Sequence, residues 1–326
     1  MKAIVCDKYG APDVLELREV DKPVVKDDEV LVRVHATSVN PADWHFLTGT
    51  PYIVRLAGSG MGFGPRKPKH QILGLDLAGR VAAVGGNVTQ FRPGDEVFGA
   101  HNSAYAEYVC VPLDGIAPKP ANLTFEQAAA VPIAGVTALQ GLRDKGQIQP
   151  GQQVLIIGAS GGVGTFAVQL AKSFGADVTG VCSTRNLDLV RSIGADQVID
   201  YTQEDFTLTG RRYDLIFQVA GNNSLADCRR ALTPEGTLVL SSGEGGRLLG
   251  PMGRIIRAPV LSRFGSQKLV GLTAKQTKKD LVVLKELMEG GKVTPVIDRR
   301  YTLAEVPEAL RYQGEGQAQG KTVITV

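Results

Sequence analysis

One stretch constrains this chain more than any other: residues 151–186, GQQVLIIGASGGVGTFAVQLAKSFGADVTGVCSTRN. Residues 154–157 form a short apolar, β-branched-rich run, as expected of a strand buried on both faces of a parallel sheet. Gly158, Gly161 and Gly164 follow at three-residue spacing, and Val163, Phe166, Ala167, Leu170, Ala171 and Phe174 then recur at helical spacing until Gly175. A second apolar run, residues 178–182, completes a βαβ unit of the size used in nucleotide-binding crossovers. Glycines at this spacing tighten the turn and let the backbone approach a pyrophosphate seated on the helix N-terminus. A glycine turn alone would fit any α/β protein. Strand, turn, amphipathic helix and second strand in succession predict a dinucleotide site.

The end of the second strand bears on which dinucleotide. A carboxylate there would accept hydrogen bonds from a ribose 2′-hydroxyl and favour NAD. This chain has Cys182, followed by Ser183, Thr184, Arg185 and Asn186. Ser183 can donate to a 2′-phosphate and Arg185 can clamp it with charge-assisted hydrogen bonds, which argues for NADP(H). The alternative is that Ser183 or Asn186 caps the next helix while Arg185 is solvated.

With 326 residues the chain can hold two domains with substantial cores. A net charge of +3 is too slight to argue for a nucleic-acid or membrane partner, and the cluster Arg66, Lys67, Lys69 and His70 reads as a solvated loop. No apolar run reaches membrane-spanning length, and MKAIVCDKYG lacks a secretory apolar region. Cys6, Cys110, Cys182 and Cys228 form no CxxC pair, so neither a disulfide framework nor a zinc ribbon is expected. A cytoplasmic protein is expected.

Along the chain, residues 1 to about 120 read as mostly β, with strands expected at 2–6, 14–20, 29–39, 79–84, 97–98 and 105–111. Residues 52–69, rich in Gly, Pro and basic side chains, read as a loop able to cover a site. Thr124 and Gln127 form a T-x-x-Q capping box that opens a helical region reaching residue 142. After the βαβ unit, helices at 187–193 and 225–232 alternate with strands at 197–201, 213–219 and 237–241, predicting a doubly wound parallel sheet. Residues 243–265, with Arg247, Arg254, Arg257 and Arg263, interrupt the rhythm. A strand at 268–272 and a helix at 278–288 follow. The last strand, 321–326, comes too late for the nucleotide domain and should return to the N-terminal β domain. The expected domains are therefore 1–122 with 288–326, and 123–287.

The phrases V39-N40-P41-A42-D43, G74-L75-D76-L77-A78-G79, R92-P93-G94-D95-E96-V97-F98-G99, A134-G135-V136-T137-A138 and G158-A159-S160-G161-G162-V163-G164 resemble the medium-chain dehydrogenase/reductase superfamily over essentially the whole chain. The resemblance implies an α/β protein with a Rossmann domain, a GroES-like mostly-β catalytic domain and a cleft between them, transferring hydride with NADP(H). Members of the zinc alcohol dehydrogenase branch place metal ligands where this chain has Asn40, Leu75, Asp76 and Ile133, and their structural zinc lobe is missing here. Leu and Ile cannot coordinate a metal and one Asp cannot build a tetrahedral site, so no metal is expected. What remains is similar to the zinc-free quinone oxidoreductase and enone/enal reductase branch, and a homodimer is expected. By position, the resemblance sets Ser160, Gly161, Gly162 and Val163 at the pyrophosphate, and Ser183, Arg185 and Tyr201 around the 2′-phosphate. It sets Asn40 and Thr137 near the nicotinamide, with Ala220, Gly221 and Ser242 at its far edge, and Asp43, Trp44 and Tyr52 on the substrate side.

Without a metal, hydride addition suits an electron-poor quinone or the β-carbon of an enone, because the acceptor delocalises the developing charge itself. Tyr52 or a water would supply the proton; His35, His45, His70 and His101 fall in no triad. Two rivals remain: a non-catalytic NADP(H)-binding regulatory protein, and a short-chain dehydrogenase. The second is disfavoured because no Y-x-x-x-K follows the nucleotide motif.

Overall fold

The computed structural model describes residues 1–52, 55, 63–241, 258, 262 and 265–326. Its chain divides into two compact units, Met1–Ala134 with Gln276–Gly290 and Pro295–Val326, and Gly135–Lys275 with Gly291–Thr294.

The first unit opens with an antiparallel pair, β1 (Lys2–Cys6) and β2 (Leu15–Glu19). Its main sheet is built around β3 (Glu29–Ser38), which pairs antiparallel with β4 (Asp76–Val84) on one side. Outward from β4 run β5 (Glu96–Ala100) and β7 (Ile116–Pro118), while β6 (Tyr108–Pro112) pairs the first half of β3. Alternation along β3 turns Val30, Val32 and Val34 into a core with Leu77, Val97 and Ile116, the period-2 pattern of a half-buried strand. Between β3 and β4 lies a helix, Pro41–Thr48, which the sequence reading had not anticipated. Asn40 N–H donates to Asp43 Oδ2 at 2.8 Å, Pro41 occupies the first turn, and Gly49 ends the helix in the left-handed region.

The second unit carries a six-stranded, wholly parallel sheet: β8 (Gln153–Ile157), β9 (Asp177–Cys182), β10 (Gln197–Asp200), β11 (Tyr213–Gln218), β12 (Leu232–Leu240) and β13 (Lys268–Gly271). The order in space is β10-β9-β8-β11-β12-β13. The chain winds one way from β8 through β9 to β10, then returns past β8 to β11. Ligands of such sheets bind outside the carboxyl ends of the strands at that reversal. Buried Leu155, Val181, Ile216 and Leu238 supply the two-sided apolar character that made this sheet legible in sequence.

The tail then returns to the first unit. There β14 (Ile297–Thr302) pairs parallel with β15 (Lys321–Thr325), and β15 pairs antiparallel with β3 through Val323 opposite Ser38. The helix Lys278–Glu289, read in sequence as part of the nucleotide domain, packs in the first unit against β7. The helical region expected to run unbroken to residue 142 is divided into Phe125–Ala129, Pro132–Gln140 and a π turn, Gly141–Lys145. Pro132, which lacks an N–H to continue the preceding helix, begins a new one.

Candidate cofactor-binding and active site

The glycine turn leaves the carboxyl end of β8, beside the reversal. Gly158 sits at φ +89°, and Gly158 N–H and Ala159 N–H both donate to Val181 O, at 3.1 and 3.0 Å, which pins the turn against β9. A Cβ on Gly164 would collide with the Gly158 carbonyl, so only glycine lets the helix Gly162–Ser173 approach the strand this closely. A Cβ on Gly161 would meet only Gly158 O, at 3.6 Å, leaving the front of the turn open. No side chain caps the helix at Gly161. Its first-turn amides lack intrahelical acceptors, as at any helix start, and this open turn fits a pyrophosphate. Ser160, Gly161, Gly162 and Val163 are thereby gathered on one turn. Ala220 is brought to the same place: its N–H donates to Ile157 O at 3.2 Å, and its Cβ is the first atom a Cβ on Gly158 would meet. Gly221 follows at φ +79°, its carbonyl accepting from Gln218 Nε2 at 3.1 Å.

Ser183 and Arg185 emerge from the end of β9, Ser183 half-buried and Arg185 exposed. Tyr201 joins them because its N–H donates to Cys182 O at 3.1 Å, and it is 64% exposed. Burial pushes the Cys182 thiol up to about 11, so the position where a carboxylate would favour NAD stays neutral. The capping alternative fails, since neither Ser183 nor Asn186 makes a side-chain cap bond. Two residues were missed in the sequence. Asn186 is buried and donates to Ser160 Oγ at 2.9 Å and Ser183 Oγ at 3.2 Å, linking the turn to the end of β9. Asp200 stands opposite Cys182 in the β10–β9 register. Hydrogen bonds, foremost from the Thr184 hydroxyl, hold its carboxyl below the ordinary aspartate range, and it therefore brings a negative charge to this end of the sheet.

The first unit contributes a buried polar cluster. Asp76, fully buried, accepts from Ser38 Oγ (2.6 Å), Asn40 Nδ2 (2.9 Å) and Lys321 Nζ (3.3 Å) through Oδ2, and from Ile133 N–H (2.9 Å) through Oδ1. Lys321, its side chain 3% exposed, also donates to Asn40 Oδ1 at 2.6 Å and Val39 O at 3.0 Å. Asn40 thus has both ends of its amide engaged inside the protein. Beside it, Asp43 is fully buried and its carboxyl is raised to about 7, chiefly by desolvation. Asp43 Oδ1 and the Tyr105 hydroxyl face one another.

The remaining candidates are less concentrated. Thr137 is buried within helix Pro132–Gln140. Trp44 is half-buried with its indole against the backbone of Gly314, a packing role. Tyr52 is 42% exposed, its ring under the Arg55 guanidinium at 4.8 Å. Ser242, half of the expected covering loop and most of the Arg-rich 243–265 segment lie outside the described residues.

Comparison with known proteins matches residues 26–121 to a family described as alcohol dehydrogenase GroES-like domain and residues 193–324 to one described as zinc-binding dehydrogenase. The chain is 35% identical over 339 residues to the 2-methylene-furan-3-one reductase of Solanum lycopersicum, covering 99% of this chain and 79% of that one. The chain belongs to the medium-chain dehydrogenase/reductase family. Its second unit is the family's Rossmann domain and its first the GroES-like domain. Among solved structures, the quinone oxidoreductase of Coxiella burnetii superposes with a TM-score of 0.88 at 32% identity, over 100% of this chain and 99% of that one. A structure named NAD-dependent alcohol dehydrogenase gives 0.85 at 29%, covering both chains fully at 100%. The Escherichia coli quinone oxidoreductase complexed with NADPH gives 0.84 at 26%, also at 100% of each. This member of the medium-chain family is an oxidoreductase that uses a nicotinamide cofactor.

Proposed function

We propose that the protein is a zinc-independent, cytoplasmic reductase that takes hydride from NADPH and delivers it to a quinone or to the activated C=C bond of an enone or enal. Asp76 carries the zinc-independence. It is the one carboxylate among the zinc-branch positions, and it is filled by three neutral donors and the Lys321 ammonium. Asn40 has its side-chain amide engaged by Asp76 and Lys321, while the Leu75 and Ile133 side chains offer no donor atom to a metal. Among the described residues no group of three His, Cys, Asp or Glu side chains is arranged to hold a metal ion. Ser183, Arg185 and the neutral Cys182 support NADPH. Cys6, Cys110, Cys182 and Cys228, none of them in a disulfide, support a cytoplasmic location.

Bound NADPH would supply the hydride. The chain's own residues then have a modest task, because a quinone or enone takes the developing charge onto its own oxygen. They must orient the acceptor, offer that oxygen a hydrogen-bond donor and return one proton. Tyr52, with an exposed phenol, is our candidate donor, and Asp43, Asn40 and Trp44 act by shaping the element that precedes it. The test compares enones, quinones and primary alcohols with NADPH and with NADH, with and without chelator. Reduction of enones or quinones that survives chelation is expected. Tyr52→Phe should lower kcat/KM for an enone by roughly 10- to 100-fold with little change in NADPH affinity. Robust alcohol oxidation with inert enones and quinones refutes the reading, and NADPH binding without turnover of any acceptor favours the regulatory alternative.

A further inference from the structure

Asn186 is the residue whose chemistry the proposed function leaves unused. Its side chain bridges two elements that meet different phosphates: Ser160 on the glycine turn and Ser183 at the end of β9. It is 5% exposed, and its Oδ1 has no hydrogen-bond partner among the described residues. A residue starting a helix with an Asx side chain usually spends it on a cap. Here the side chain makes no cap bond.

An amide nitrogen has two protons, and here each is given to one serine oxygen. A hydroxyl that accepts from N–H cannot turn its own proton back along the same line. The Ser160 and Ser183 protons are therefore left to serve as donors to a third group. Phosphate oxygens at neutral pH only accept, whereas a ribose 2′-hydroxyl can equally donate. Ser183, fixed as a donor at the end of β9, discriminates in favour of a 2′-phosphate, while Ser160 donates to the pyrophosphate that both dinucleotides carry.

Resting on the NADPH reading above, we propose that Asn186 is the positioning residue that sets cofactor preference: its amide orients the Ser160 and Ser183 hydroxyls as donors, matching the pair of loops to a 2′-phosphorylated dinucleotide. Preference is then written in the protonation pattern of a buried side chain as well as in the exposed Arg185. Asp200, across from Cys182, opposes it with negative charge. The isosteric change Asn186→Asp reverses the pattern. A carboxylate would accept from both hydroxyls, turn the serines into acceptors and add a charge of the wrong sign.

The test is calorimetric titration of the full chain with NADP⁺ and with NAD⁺, which differ only in the 2′-phosphate, in the absence of any acceptor. For the unmodified protein NADP⁺ should bind more tightly. Asn186→Asp should weaken NADP⁺ by about 100-fold and NAD⁺, which shares only the Ser160 contact at the pyrophosphate, by clearly less, so that the preference falls by about tenfold. Asn186→Ala and Ser183→Ala should each weaken NADP⁺ by about tenfold, with NAD⁺ affected less. Equal affinities in the unmodified protein would overturn the NADPH reading itself. A clear preference there that persists in Asn186→Asp overturns the role of Asn186 alone. If Asn186→Asp loses NAD⁺ as well, the ratio is read in Asn186→Ala and Ser183→Ala, and an unchanged ratio in either overturns the proposal.

Discussion

Replacing Asp43 by asparagine should stabilise the protein at alkaline pH and leave it nearly unchanged in acid. Asp43 is fully buried, with Oδ2 accepting from Asn40 N–H at 2.8 Å and Oδ1 facing the Tyr105 hydroxyl. Burial raises its carboxyl from 3.8 to about 7, against the opposing pull of the Asn40 N–H. The folded protein therefore keeps a proton that the unfolded chain has already released. Stability is unaffected by this group below pH 3.8, falls as pH rises from there towards about 7, and is flat above. A gap of roughly three pH units at 1.36 kcal/mol each puts the cost above neutrality at about 4 kcal/mol. Asparagine keeps the acceptor for Asn40 N–H and, like a protonated carboxyl, can donate towards Tyr105, but it has no charge to desolvate. The measurement is urea unfolding of both proteins from pH 5 to 8.5. The difference in unfolding free energy should grow across that range in favour of Asp43→Asn and level off past neutrality. Parallel curves would refute the reasoning, because they would mean that Asp43 releases its proton equally easily in both states.

Three further outcomes are expected. Lys321→Met removes the ammonium from a fully buried Asp76 and should destabilise the protein by about 3 to 5 kcal/mol in urea unfolding, with much of the loss recovered in the double variant that adds Asp76→Asn. Gly164→Ala forces a Cβ against the Gly158 carbonyl and should cost about 1 to 3 kcal/mol and weaken NADPH and NADH alike, which titration of the two cofactors checks. Asp200→Asn removes a carboxylate from the β9 end and should tighten NADPH by about two- to fivefold at low ionic strength, with the gain shrinking in salt and NADH unaffected.

What the sequence revealed and what it hid follow from how far apart the cooperating residues lie. The parallel sheet was legible because each strand is apolar on both faces and its turns are punctuated by glycine, so the information is local. The edge strand β14, Ile297–Thr302, was hidden because Arg299 and Arg300 are exposed and, among the described residues, only β15 pairs with it, leaving a charged segment with no apolar alternation. The helix Pro41–Thr48 was hidden for a related reason: Trp44, Phe46 and Leu47 do not make one apolar stripe, although Asn40 and Pro41 are start signals that a closer reading would weigh. The sequence assigned the glycine turn and the end of β9 to different parts of one dinucleotide, yet the bond between them was missed, because Asn186 carries the same letter whether it caps a helix or orders two serines. The polar cluster of Ser38, Asn40, Asp76 and Lys321 is the extreme case. Lys321 opens a run, KTVITV, that in sequence looks like any strand beginning at a solvated lysine. Only the pairing of β15 with β3 brings that ammonium to the Asp76 carboxylate, 245 positions away in the chain. A buried charge is stable only beside its partner, so the feature that marks Lys321 as special is absent until the fold exists. Sites assembled from sheet register in this way stay invisible to local pattern, whereas sites built on one turn, like that of Ser160 to Gly164, do not.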